Sequence, residues 1–279
     1  MNGTGKPRVP TAPIGVFDSG LGGLTVVHAI RERLPREHLV YLGDTARVPY
    51  GTRSPETVLS YARSCARKLC ERDIKLLVVA CNTVSAVAID MLAVELDMPV
   101  LGVIGPGARA GVACSPGGRI GVIATAGTVD SGAYARAVAA TDSRAEALME
   151  PAPLLVPLAE EGWTEGEVPA RVARRYLEPL VRAGIDTLVL GCTHYPLLRE
   201  TITAELAVLS GAAVPVVDSA EATADELAEL LQSRALSTPD TGRGRLELMV
   251  TDMPRRFAET ASRFLGEALA DVEVEPVDL

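Results

Sequence analysis

The sequence predicts an α/β protein with mostly parallel sheets and helices on both sheet faces. Three observations carry this. Short apolar runs alternate with segments of helical period along the chain. Several helical segments open on recognisable caps. A weak internal repeat also divides the chain into two similar halves.

In chain order the candidate strands are Ile14–Phe17, Leu39–Leu42, Leu76–Ala80, Val100–Ile104, Ile120–Ala124, Thr187–Leu190, Val214–Val217 and Leu246–Thr251. Between the first two, Leu24, Val27, Ile30 and Leu34 mark the apolar face of a helix that stops before Pro35. Ser54-Pro55 opens the next helix, an N-cap followed by proline in the first turn. Asp218-Ser219-Ala220-Glu221 has the form of a capping box and predicts a helix to about Leu236. In the repeat, Ile14-Gly15-Val16-Phe17 recurs as Ile120-Gly121-Val122-Ile123. The run from Leu77 through Cys81 to Thr83 recurs from Leu188 through Cys192 to His194. Chance similarity between apolar strands would leave the paired cysteines unexplained. The crossings between halves are expected near Pro99 and around Ser210-Gly211. The expected domains are therefore 1–98 together with 211–279, and 99–210.

A chain of 279 residues is about two domains' worth. Its 48% hydrophobic and 23% charged content exclude disorder and coiled coil. Mean hydropathy is +0.21, yet the longest apolar stretch, Leu76 to Val94, is broken by Asn82, Thr83, Ser85 and Asp90. No membrane span is expected. A net charge of −9 argues against direct nucleic-acid binding. Met1 to Pro13 is polar and lacks an apolar h-region, so it reads as a loose tail on a cytoplasmic protein.

The lysines are Lys6, Lys68 and Lys75. Lys6 lies in the tail, Lys68 on a polar helix position, and Lys75 where a strand begins, opposite to the end that binds ligands. Schiff-base chemistry with pyridoxal phosphate is therefore not expected, and no cofactor is. Five cysteines form no CxxC pair, and the spacing of Cys192 and His194 is no zinc pattern, so no metal is expected either.

Ligands of parallel α/β sheets bind at the carboxyl ends of strands. Four polar clusters fall there: Asp18-Ser19-Gly20, Tyr50-Gly51, Cys81-Asn82-Thr83 and Cys192-Thr193-His194. The loop from Asp18 to Gly23 lacks the marks of a dinucleotide or phosphate site. Its plain reading is a tight turn capped by Asp18; the sharper one has free backbone N–H groups holding a carboxylate while Asp18 faces the ligand. Cys65, Cys70 and Cys114 read as inert buried residues. Cys81 and Cys192 follow strands and precede helix starts, where a thiol pKa is expected to fall. His194 stands two residues from Cys192, positioned as its base or orienter; His28 and His38 read as solvated or helix-face residues. Two acid/base groups facing one site from mirrored halves suit racemisation or epimerisation: one takes a proton from carbon and the other delivers one to the opposite face.

Six ordered motifs then identify a resemblance: GVFDSGLGGLTV (Gly15 to Val26), VPYGTRS (Val48 to Ser54), ACNTVSA (Ala80 to Ala86), VPLAEEG (Val156 to Gly162), GCTHYPLL (Gly191 to Leu198) and VDSAE (Val217 to Glu221). The sequence resembles the glutamate racemases of the cofactor-independent amino-acid racemase superfamily. The resemblance implies two pseudo-symmetric flavodoxin-like domains with the active site in the cleft between them. It implies interconversion of L- and D-glutamate for peptidoglycan synthesis and hence cell shape, in a bacterial cytoplasmic enzyme expected to be a homodimer. Carried over by position, Cys81 serves D-glutamate with help from Asp18, and Cys192 serves L-glutamate with help from His194. Glu160 is the supporting carboxylate, with Glu161 as its rival. Ser19, Tyr50, Gly51, Asn82, Thr83, Thr193 and the amides of Asp18-Ser19 and Thr193-His194 hold the substrate, with Thr125 added at the end of the strand matching that of Asp18. The alternatives are an aspartate racemase or another racemase of the same superfamily, or an additional regulatory role as a DNA gyrase inhibitor.

Overall fold

The computed structural model describes residues 8–266 and 273–279, with only the backbone of Arg256; Lys6 and the first part of the expected tail lie outside the described residues. Ten strands are described: β1 (Ile14–Asp18), β2 (Leu39–Gly43), β3 (Leu76–Val79), β4 (Val100–Gly102), β5 (Arg119–Ala124), β6 (Glu146–Pro151), β7 (Thr187–Gly191), β8 (Val216–Asp218), β9 (Leu246–Val250) and β10 (Val274–Pro276). They form a six-stranded sheet ordered β10-β9-β2-β1-β3-β4 and a four-stranded sheet ordered β6-β5-β7-β8. The described strand pairs are parallel.

The two sheets repeat one topology. β1 lies between β2 and β3 with β4 outermost, just as β5 lies between β6 and β7 with β8 outermost. Ile14 pairs with Leu39 and Leu76, and its counterpart Ile120 pairs with Ala147 and Thr187. This is the flavodoxin-like order, and it gives each half one switch point, between β1 and β3 and between β5 and β7. Alternate residues bury opposite faces. In the larger sheet Val16 and Val78 pack with Leu24, Val27 and Ile30, while Phe17, Leu77 and Val79 pack with Val58, Ala62 and Leu69. In the smaller sheet Leu188 and Leu190 face Leu177 and Ile202, and Val122 and Val189 face Ala108 and Tyr134.

Several expectations are corrected. β4 belongs to the larger sheet and β8 to the smaller, so both crossings come a few residues later than 98/99 and 210/211. Edge strands β6 and β10 were not anticipated; Glu146-Ala147-Leu148-Met149-Glu150-Pro151 is only half-buried, and its apolar run is just three residues between glutamates. The expected loose tail is anchored from Arg8 onward. Its guanidinium donates to the carbonyls of Ile74 (3.2 Å) and Asp97 (2.8 Å), and the Pro13 carbonyl accepts from the Lys75 amide.

The helix starts follow their caps. Ser54 Oγ accepts from the Thr57 amide ahead of helix Pro55–Cys70. Asp218 Oδ1 accepts from the Ala220 amide at 2.8 Å and opens helix Ser219–Ser233. Glu221 does not close a capping box; it pairs outward with Arg199. Lys75 lies buried at the amino end of β3, ion-paired with Glu37 at 2.5 Å, at the opposite end from the site.

Candidate active site

Both switch points open on one cavity of about 280 Å³. From the first half Ser19, Tyr50, Gly51, Cys81, Asn82 and Thr83 line it; from the second come Thr125, Glu160, Cys192, Thr193 and His194. Every expected site residue except Asp18 therefore stands in its wall. A larger hollow of about 660 Å³ lies over helices Leu24–Arg33 and Ser219–Ser233 and contains neither of these thiols.

Cys81 caps helix Asn82–Glu95, and its thiol donates to Ser19 Oγ at 3.5 Å. The expected lowering of its pKa does not occur. Burial, with the charge of Asp18 adding to it, pushes the Cys81 thiol up to about 12, outweighing the Ser19 and backbone hydrogen bonds. Asp18 does not face the ligand as the sharper reading had it. It is fully buried behind the wall, with Oδ2 accepting from the Gly20 amide at 2.9 Å, the tight turn of the plain reading. Its other oxygen has no hydrogen-bond partner. Burial raises the Asp18 carboxyl against the opposing pull of His194 and the turn amides.

On the other side His194 Nδ1 lies 3.7 Å from Cys192 Sγ, and Nε2 lies 3.1 Å from Glu160 Oε1. Glu160, rather than Glu161, thus reaches the ring. Burial disfavours the protonated imidazole, but the hydrogen bonds to Cys192 and Glu160 override it and push its pKa up to about 10. The edge of Phe264 stands against the ring at 5.5 Å between centroids. The halves touch closely here. Thr25 Oγ1 donates to the Thr193 carbonyl at 2.9 Å, and a Cβ on Gly22 would come within 2.6 Å of the His194 ring.

A polar frame closes the rest of the cavity. Thr83 Oγ1 shares hydrogen bonds with Thr125 (2.9 Å) and Thr128 (3.4 Å), and those two share one of 3.1 Å. The Gly51 carbonyl accepts from the Gly127 amide at 3.1 Å. The Tyr50 hydroxyl is committed to Asp44, a buried carboxylate that also accepts from Arg47 Nε (2.6 Å) and Thr251 Oγ1 (2.9 Å). Tyr50 therefore offers the cavity its ring and backbone. The Tyr134 hydroxyl donates to Asn82 Oδ1 at 2.9 Å.

Sequence reasoning missed Asp44, Thr128 and Tyr134. Asp44 follows β2 as Asp18 ends β1, a position that could have marked it. Thr128 sits one helical turn after Thr125. Nothing in the sequence ties Tyr134 to Asn82. Of the remaining cysteines, Cys65 is buried as expected and Cys70 partly so, but Cys114 is exposed at the end of helix Ile104–Cys114. Among the described residues no trio of His, Cys, Asp or Glu could hold a metal ion, and no helix is long and apolar enough to cross a membrane.

The model of the Asp/Glu/hydantoin racemase family matches residues 14–227. The chain is 52% identical over 264 residues to the glutamate racemase of Geobacter metallireducens, covering 95% of this chain and 96% of that one. A glutamate racemase isoform of Bacillus anthracis superposes with a TM-score of 0.90 at 38% identity, over 96% of this chain and 98% of its own. The glutamate racemase of Francisella tularensis, solved in complex with D-glutamate, gives 0.87 at 35% identity, over 97% and 98%.

Proposed function

The chain belongs to the Asp/Glu/hydantoin racemase family, and from that premise we propose that it interconverts L- and D-glutamate by cofactor-independent proton transfer between two thiols. The observation that carries the reading is that Cys81 and Cys192, from opposite halves, line one cavity, each with its own acid/base neighbour. In this reading the enzyme works in the cytoplasm as a homodimer and supplies D-glutamate for peptidoglycan.

Cys192 removes the α-proton of L-glutamate. Cys81, whose thiol is held in its protonated form by burial, delivers a proton to the opposite face and so forms the D-enantiomer. D-glutamate is processed with the roles exchanged. The protonated His194 ring donates toward the Cys192 sulfur and is itself held by Glu160. Asp18, buried behind Cys81, assists the other thiol. The difficult moment is the carbanion, whose charge spreads into the α-carboxylate. Donors preorganised around the cavity, including the N-terminus of helix Asn82–Glu95 and the Ser19, Thr83 and Thr193 hydroxyls, stabilise that charge.

The test is isotopic. Dialysed, hydroxylamine-treated protein is given L-glutamate in deuterium oxide and sampled at low conversion by chiral chromatography with mass spectrometry. New D-glutamate should carry deuterium at the α-carbon while recovered L-glutamate stays protium. Absence of turnover, or racemisation of aspartate in preference to glutamate, would overturn the assignment. Comparable deuterium in both pools would overturn the opposed thiols.

A further inference from the structure

Asn82 carries one amide, and the fold occupies only half of it. Its Oδ1 accepts from the Tyr134 hydroxyl at 2.9 Å, while its Nδ2 is buried without a hydrogen-bond partner. The two residues come from different halves. Asn82 begins helix Asn82–Glu95 beside Cys81, and Tyr134 lies in helix Ala133–Thr141. Tyr134 is fully buried, and burial raises its phenol well above the ordinary tyrosine value, so the hydroxyl keeps a proton to donate. There is little slack: a Cβ on Gly107 would stand 3.3 Å from that hydroxyl.

An amide whose carbonyl is taken can offer only N–H. Buried donors are almost always paired, and one left unpaired in the wall of a cavity is satisfied when a ligand brings an acceptor. On glutamate the acceptors are the carboxylates; the ammonium group has none. We infer that Tyr134 is a positioning residue: by occupying the Asn82 carbonyl it commits the Asn82 N–H₂ as a donor to a substrate carboxylate. The inference rests on the glutamate reading above. It adds that this donor, which belongs to one half, is oriented by a residue of the other.

Steady-state kinetics on Tyr134→Phe, Asn82→Ala, Asn82→Asp and the Tyr134→Phe/Asn82→Ala double variant test this, with thermal melts confirming the fold. A donor that holds ground state and transition state alike affects KM and spares kcat. Tyr134→Phe should raise KM for both enantiomers roughly tenfold, with kcat within about twofold. The same substitution should add nothing in the Asn82→Ala background. Asn82→Asp still accepts from Tyr134 but presents a repelling carboxylate, so its KM should rise beyond that of Asn82→Ala. Unchanged KM in Tyr134→Phe, an equal effect in both backgrounds, or wild-type KM in Asn82→Asp would each overturn the inference. Should Tyr134→Phe not fold, the comparison of Asn82→Asp with Asn82→Ala decides alone. Wild-type protein that does not racemise glutamate refutes the functional reading itself, which separates the two failures.

Discussion

Replacing Glu160 by glutamine isolates the charge behind the Cys192 thiol. The His194 ring is held on one side by Cys192 Sγ at 3.7 Å and on the other by Glu160 Oε1 at 3.1 Å. The substituted amide retains a carbonyl oxygen that can accept from Nε2, so geometry is largely preserved and the negative charge is lost. A hydrogen bond to a charged partner contributes about 1.5–3 kcal/mol when buried. The Glu160 side chain is 45% exposed, and solvent screening brings this to about 1–1.5 kcal/mol. At about 1.4 kcal/mol per decade, kcat/KM should fall roughly tenfold. Because the enantiomers are equally stable in water, the equilibrium constant is one and kcat/KM must fall by the same factor in both directions. Only kcat and KM taken separately can change unequally. The assay follows optical rotation from pure L- and pure D-glutamate, with Glu161→Gln as the control expected to stay within about twofold of wild type. Wild-type activity in Glu160→Gln, or greater damage from Glu161→Gln, would refute the assignment of the relay.

The other predictions are independent of that charge. Cys81→Ala and Cys192→Ala should each abolish racemisation with circular dichroism unchanged, whereas Cys114→Ala, at an exposed site, should alter neither activity nor stability; activity surviving in either of the first two would remove that thiol from the reaction. His194 keeps its proton in the fold to about pH 10 but, unfolded, releases it near the ordinary 6.5. The folded state therefore binds more protons between those values, and its contribution to stability is lost as pH rises from about 6.5 to about 10. Melting temperatures across that window should decline less steeply in His194→Asn, and identical slopes would contradict the raised pKa. Gly22→Ala would put a methyl within 2.6 Å of the His194 ring, and the displacement should cost about 10²-fold in kcat/KM while the protein still folds. Wild-type rates in that variant would mean the halves yield at this contact.

Where burial and period coincide, the fold was legible. The eight anticipated strands are the ones whose apolar residues fill the cores, and Ser54 and Asp218 act as the caps they resemble. β6 escaped because a half-exposed edge strand needs only a short apolar run, here Ala147 to Met149. The crossings were misplaced because β4 and β8, each only three residues long, pair with the strand immediately before them and so close the sheet of the half they follow rather than opening the next. At the site, motif and strand-end position located the thiols and their cavity. The environment of Cys81 was misjudged: a helix N-terminus lowers a thiol pKa only when desolvation and a buried carboxylate do not oppose it. Tyr134 acts through a hydroxyl contact with Asn82 that no local pattern records, whereas Asp44 stands at a strand end, where its position was a usable signal.

The order in which the sheets are completed matters during synthesis. All four strands of the smaller sheet, β5 to β8, are consecutive in the chain, so that sheet can close once Asp218 has left the ribosome. The larger sheet, although it starts first, must wait for β9 and β10 to cover the flank of β2. Until then Leu39, Val40, Tyr41 and Leu42 present a fully apolar strand with an open edge, the arrangement most prone to pairing with a neighbouring chain. The usual N-terminal-first sequence of domain maturation is thus inverted here. A premature stop shortly after Asp218 would release a completed second sheet tethered to an adhesive, incomplete first one.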